Sequence, residues 1–91
     1  MFFEMIRKRC GITEGINIYD EDIKSYIEDC RQDMKASGVP ETLADSEEHA
    51  SVLTAVTFYV KAHIGDDRSD TEKYMDLYRK KVFRLTLEGE E

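Results

Sequence analysis

Two histidines, two cysteines and a run of carboxylates are the residues of this chain best suited to chemistry. Their spacing limits what they can do. His49 and His63 stand 14 positions apart. On one helix that separation is about 21 Å along the axis at 1.5 Å per residue, so no single metal ion bridges them. Glu48 with His49, and His63 with Asp66 or Asp67, are local pairs, but no third ligand is spaced for a zinc or di-iron centre. The "GDD" of 65–67 and "DDRSD" of 66–70 are rich in carboxylates. They lack the ligand order of a calcium loop, with its Gly at the sixth and Glu at the twelfth position. A turn leading into a helix cap accounts for them. Cys10 and Cys30 form no C-x-x-C pair, and neither has a histidine nearby in the chain to favour the thiolate. Both are expected to be small apolar core residues, reduced in a cytosolic setting. No nucleophile motif, P-loop or G-x-G-x-x-G occurs. The expectation is a protein without catalytic residues, metal or cofactor.

Two basic clusters remain, "RKR" at 7–9 and "YRKKVFR" at 78–84. Aromatic residues interleave the second, as they do in nucleic-acid binders. The net charge of −7 works against a grip on DNA by charge neutralisation. A solvated, salt-bridged helix face, a surface for a protein partner and a DNA contact all stay open for this cluster.

The elements that position these residues read as helices. Phe2, Phe3 and Ile6 share a face of a short helix over residues 1–10, which Gly11 can end. "GITEGINIYD" reads as a loop whose Ile12, Ile16 and Ile18 pin it to the core. Asp20 suits an N-cap, with Glu21 and Asp22 favoured by the helix dipole behind it. Ile23, Tyr26, Ile27, Cys30 and Met34 then make one apolar stripe on a helix of about 21–37. Gly38, Val39 and Pro40 close that helix. "PETLADSEEHA" reads as a short link in which Asp45 with Glu48 fits a capping box and Ser46 is a competing cap. A third helix is expected from about 46 to 64, followed by Gly65. Its "VLTAVTFYV" is β-rich enough to make a strand the rival, but the length and the unbroken run favour helix. "SDTE" at 69–72 is a capping box for a fourth helix over about 70–86. Tyr74, Leu77, Tyr78, Lys81 or Val82, and Leu85 form its stripe, and Asp76 with Lys80 is a supportive i,i+4 pair.

A chain of 91 residues makes one domain, 1–91, with residues 88–91 as a frayed tail. The fold class expected is all-α, a small bundle of about four helices around a central apolar one. Charged residues make up 36% of the chain, which suits a soluble protein with a small core. No apolar run is long enough to span a membrane, and "MFFEMIRKRC" does not have the order of a secretory signal. The third helix is apolar almost all round, and the chain has little material to cover it. Ser51, Thr54 and Thr57 form a strip of small residues on it that would let another helix approach closely. That helix belongs either to the same chain or to a second subunit.

The order of these segments resembles a known family. "YDEDIKSYIEDCRQDMKASGV", "AVTFYVKAHIGDD" and "EKYMDLYRKKVFRLTL", spread over roughly residues 3–87, look like the small head–tail connector proteins of tailed bacteriophages and prophages, often labelled DNA-packaging proteins. The resemblance implies a helical adaptor that forms a homo-oligomeric ring, commonly of about a dozen subunits, beneath the portal. Such a ring extends the DNA channel and offers a platform to a tail-completion protein. DNA would pass without specific binding. The place implied is the virion neck, after assembly in the bacterial cytoplasm. The family brings no catalytic residues. Phe2, Phe3, Ile6, Ser51, Thr54, Tyr78, Val82, Phe83 and Leu85 are expected at subunit or partner contacts, the aromatic and aliphatic ones exposed in the monomer. A small helical regulatory or nucleic-acid-binding protein, with the last helix as reader, is the alternative, and a minor subunit of an enzyme is a third.

Overall fold

The computed structural model describes residues 2–12, 18–64 and 68–88. They form five helices in chain order: α1 (Phe2–Arg9), α2 (Asp20–Ala36), α3 (Glu41–Ala44), α4 (Ala50–Ile64) and α5 (Arg68–Glu88). No strand occurs among the described residues, so "VLTAVTFYV" is helix and the fold class is all-α. The expected positions of Ile16, the Asp66–Asp67 turn, the Ser69 side-chain cap and the tail beyond Glu88 lie outside the described residues.

The helix ends that depend on glycine form as expected. α1 closes with Gly11 at φ 77°, Gly11 N–H donating to Lys8 O and Ile12 N–H to Arg7 O, each at 3.0 Å. α2 closes in the same way, with Gly38 at φ 104°, Gly38 N–H to Lys35 O at 3.1 Å and Val39 N–H to Met34 O at 2.9 Å. Both are Schellman ends, in which a residue of positive φ turns two orphan carbonyls toward backbone donors.

Two of the expected side-chain caps do not form, while Ser46, the competing cap, does accept from the chain after it. Tyr19, not Asp20, precedes the first turn of α2, and no side chain caps it. Asp20 instead reaches across to Arg7 at 3.2 Å and ties α1 to α2. Asp45 makes no capping box with Glu48. It pairs with Lys35 at 3.0 Å, since a half-buried lysine ammonium attracts the carboxylate more strongly than a helix end does. The link after Pro40 holds a fifth helix, the single turn α3, whose Leu43 and Ala44 N–H groups donate to Pro40 O. α4 then begins at Ala50 rather than 46. Ser46 Oγ accepts from the N–H groups of Glu48 and His49, and His49 Nδ1 accepts from Val52 N–H at 3.4 Å.

α4 is central and packs against α1, α2 and α5. Val52, Val56 and Val60 are wholly buried, and each contributes about 1.5 kcal/mol or more by leaving water. Thr57 is buried too, and its hydroxyl is not stranded, since it donates to Leu53 O at 2.8 Å. Of the fifteen residues of α4 only Ala50 and His63 are exposed. The chain itself therefore covers its apolar helix, and the molecule is a flat plate of 42 × 29 × 18 Å.

Candidate functional site

α5 is amphipathic in an unusual way, because both of its faces carry large apolar residues. The inner face holds Tyr78, Val82 and Leu85, exposed by 1%, 5% and 0%. Tyr78 stacks edge-on against Tyr59 at 5.1 Å between ring centres, and its hydroxyl donates to Asp33 Oδ2 at 2.7 Å, joining α5 to α2. Burial pushes this phenol well above its ordinary range, helped by the neighbouring Cys30 and Asp33. Cys30, wholly buried beside it, is pushed up from 9.0 to about 12, again mainly by burial. It is a core residue, as the sequence suggested. Cys10 is only half-buried, and burial raises it while Lys61 opposes the rise.

The outer face carries Phe83, 64% exposed, and Leu87, 53% exposed. They stand four positions apart, one turn from each other, and form an apolar ridge. Arg79, Lys80 and Arg84 line the same groove, and Lys80 is held by Asp76 at 3.1 Å in the expected i,i+4 pair. From Leu77 to Leu87 no carboxylate occurs, in a chain of net charge −7.

The expected contact residues thus divide. Phe2 (3% exposed) and Ile6 (0%) are core, and so are Tyr78, Val82 and Leu85. For these five the expected exposure in the monomer is corrected. Their 3–4 spacing places them on the stripe that faces α4 or α2, and a stripe that regular is consumed in folding. The Arg31 guanidinium lies 5.0 Å from the Phe2 ring centre and covers what the core does not. Phe3 is half-buried beneath Lys24 at 5.2 Å and Arg7 at 5.9 Å. Ser51 and Thr54 are half-buried. Thr54 donates to Ala50 O at 3.1 Å and accepts from Arg9 at 3.5 Å, so α1 of the same chain reaches this part of the small-residue strip. Phe83 alone of the nine is largely exposed.

Leu87, Tyr19 and Met5, none of them among the expected contacts, are 53%, 41% and 44% exposed, and Ile18, expected to pin its loop to the core, is 75% exposed. The available signal was an apolar residue lying off its helix's stripe, which Phe83 and Leu87 both are. Ile18 and Tyr19 stand just before α2, beside the exposed Glu21 and Asp22. The histidines take ordinary local roles. His63 Nδ1 lies 2.7 Å from Tyr59 O, its ring stacked on Tyr59 at 4.2 Å, and His49 serves the start of α4. Among the described residues no group of three His, Cys, Asp or Glu is placed to hold a metal ion. Nor is any of their helices long and apolar enough to cross a membrane.

The family model described as phage connector protein matches residues 2–91. No match was found among curated proteins or solved structures. A match across nearly the whole chain, on an all-helical fold with an exposed apolar ridge, settles the family: the chain belongs to the phage head–tail connector proteins.

Proposed function

We propose that this connector is a structural adaptor that works by packing and carries no catalytic activity. Copies assemble into a closed ring of about a dozen beneath the portal of the capsid, as closed cyclic symmetry favours for one repeated interface. The ring extends the DNA channel through the virion neck and presents its far side to a tail-completion protein. It is built in the cytoplasm of the bacterial host and takes no cofactor. The observation that carries this reading is the Phe83–Leu87 ridge. It is a pair of large apolar side chains left in water with a cationic rim, on a chain of the connector family whose own core is already covered. Phe3, Ser51 and Thr54, half-buried at the monomer surface, are proposed as further contacts that neighbouring subunits complete. Phe2, Ile6, Tyr78, Val82 and Leu85 support these contacts from the core side. The acidic balance suits a conduit, because a negative lumen does not retain passing DNA.

Native mass spectrometry of the chain alone and with a portal ring tests this. A closed oligomer, or many copies bound per portal, is the expected result. A monomer that ignores the portal would overturn it. The basic rim of α5 is the one feature that favours the second reading, a small nucleic-acid-binding protein. A gel shift with duplex DNA across salt concentrations separates the two. Tight, salt-sensitive binding would support the second.

A further inference from the structure

Two exposed apolar patches carry rims of opposite charge. The ridge on α5 is Phe83 and Leu87 with Arg79 and Arg84 beside them. The knob before α2 is Ile18 and Tyr19, followed in the chain by the exposed carboxylates Glu21 and Asp22. α2 and α5 run in the same direction, since Tyr78 bonds to Asp33 and a Cβ built on Gly38 would lie 3.7 Å from Thr86 Cγ2. The ridge therefore sits level with the C-terminal end of α2, whereas the knob precedes its first turn. The 17 residues of α2 set the two patches about 25 Å apart at 1.5 Å per residue. They cannot meet within one chain.

We infer that the ridge of one copy docks on the knob of a second copy, Arg79 and Arg84 facing Glu21 and Asp22 around a contact of Phe83 and Leu87 with Ile18 and Tyr19. The occupant is argued from charge: the carboxylate-free stretch of α5 needs an acidic partner with apolar residues at its centre, and this chain displays one at its other end. Opposite rims steer the two surfaces together and fix their register. Because the patches differ, the contact is head-to-tail, the kind that closes into a ring when the rotation between copies allows. The inference rests on the adaptor reading and names the interface by which copies would join.

Charge reversal tests it in the full chain. Arg79→Glu with Arg84→Glu leaves both patches acidic, and Glu21→Lys with Asp22→Lys leaves both basic. Sedimentation velocity at low salt is expected to show the unaltered chain associating and each double variant weakened about a hundredfold, as like charges then face each other. An equimolar mixture of the two variants is expected to associate again, in alternating copies. All four positions are exposed or at the surface groove, and circular dichroism checks that each variant is folded. Association that survives both reversals, or a mixture that stays monomeric while the unaltered chain associates, would overturn this pairing and leave the ring reading standing. An unaltered chain that stays monomeric to about 1 mM, far above ordinary dissociation constants for specific contacts, would overturn the pairing as well. Whether the ring reading falls with it is then decided separately by the portal experiment.

Discussion

Phe83 and Leu85 are two positions apart on α5 and live in opposite surroundings, one 64% exposed and the other fully buried. A contact role and a core role can be separated there by substitution. Leu85→Ala is expected to cost about 2–5 kcal/mol of folding stability, the range for removing a buried leucine. Phe83→Ala is expected to stay within about 0.5 kcal/mol, as exposed positions do, while weakening association. Urea unfolding of both variants measures the contrast, and a large loss from Phe83→Ala would place that ring in the core instead. The buried thiol makes a second prediction. Cys30 holds its proton to about pH 12 when folded but releases it near 9.0 when unfolded. Above pH 9 the unfolded chain therefore binds fewer protons than the folded one, and stability falls as pH rises, by up to about 1.4 kcal/mol per pH unit. Below pH 9 this contribution is fully present. Tyr78, also raised, acts in the same direction above 10.0. Denaturant midpoints between pH 7 and 11 are expected to fall steeply above 9, and Cys30→Ala is expected to make the first part of that fall shallower.

At the scale of elements, the glycine ends of α1 and α2 were readable, as was the Ser46 cap, while the carboxylate caps expected at Asp20 and Asp45 were not. Gly11 and Gly38 both take positive φ and make the same pair of backbone bonds. That signal is local: one residue without a Cβ followed by an apolar one, Ile12 or Val39. Gly38 at 104° lies further from the left-handed well than Gly11 at 77°. Replacement by alanine is thus expected to cost about 1 kcal/mol at Gly11 and about 2 kcal/mol at Gly38. At neither position does a new Cβ meet a close neighbour, so the cost is backbone strain alone. Thermal unfolding of the two variants checks the order. Equal midpoints would show that the closing turn of α2 adjusts. The starts at Asp20 and Asp45 misled because a carboxylate has a choice. Arg7 is 13 residues before Asp20, and Lys35 is 10 before Asp45, and each offers a full charge at 3.2 Å and 3.0 Å. The turn α3 was missed for a related reason. Four residues after a proline carry no period, and the short helix exists because Lys35 holds Asp45 and Ala44 is buried.

Across the whole molecule, charge and apolar surface are distributed unevenly. The chain is acidic overall, yet the outer face of α5 from Arg79 to Arg84 is cationic. Self-association through that face is expected to weaken as salt rises from about 0.05 to 0.5 M, because screening shortens the reach of the rim charges to a few ångströms. Light scattering across that range measures it. Association that strengthens with salt would assign the contact to apolar burial without the charged rims. The puzzle of the all-apolar helix resolves at this scale too. α1, α2 and α5 leave only Ala50 and His63 of α4 exposed and bury or half-bury the rest, so the most exposed large apolar residues lie on α5 and before α2 instead.

The sequence by itself determined the all-α class, the positions of the two long amphipathic stripes, the glycine ends, the core placement of Cys30 and the connector family. Each of these rests on residues within a few turns of one another or on a pattern that spans the chain. Only the tertiary structure decided which apolar residues stay in water. The 3–4 spacing of Tyr78, Val82 and Leu85 sets them off from Phe83 and Leu87 along α5, but that this stripe is buried while the other face stays in water depends on the direction from which α4 and α2 approach. That direction is set by contacts between residues dozens of positions apart, such as Tyr78 with Asp33, which no local spacing encodes.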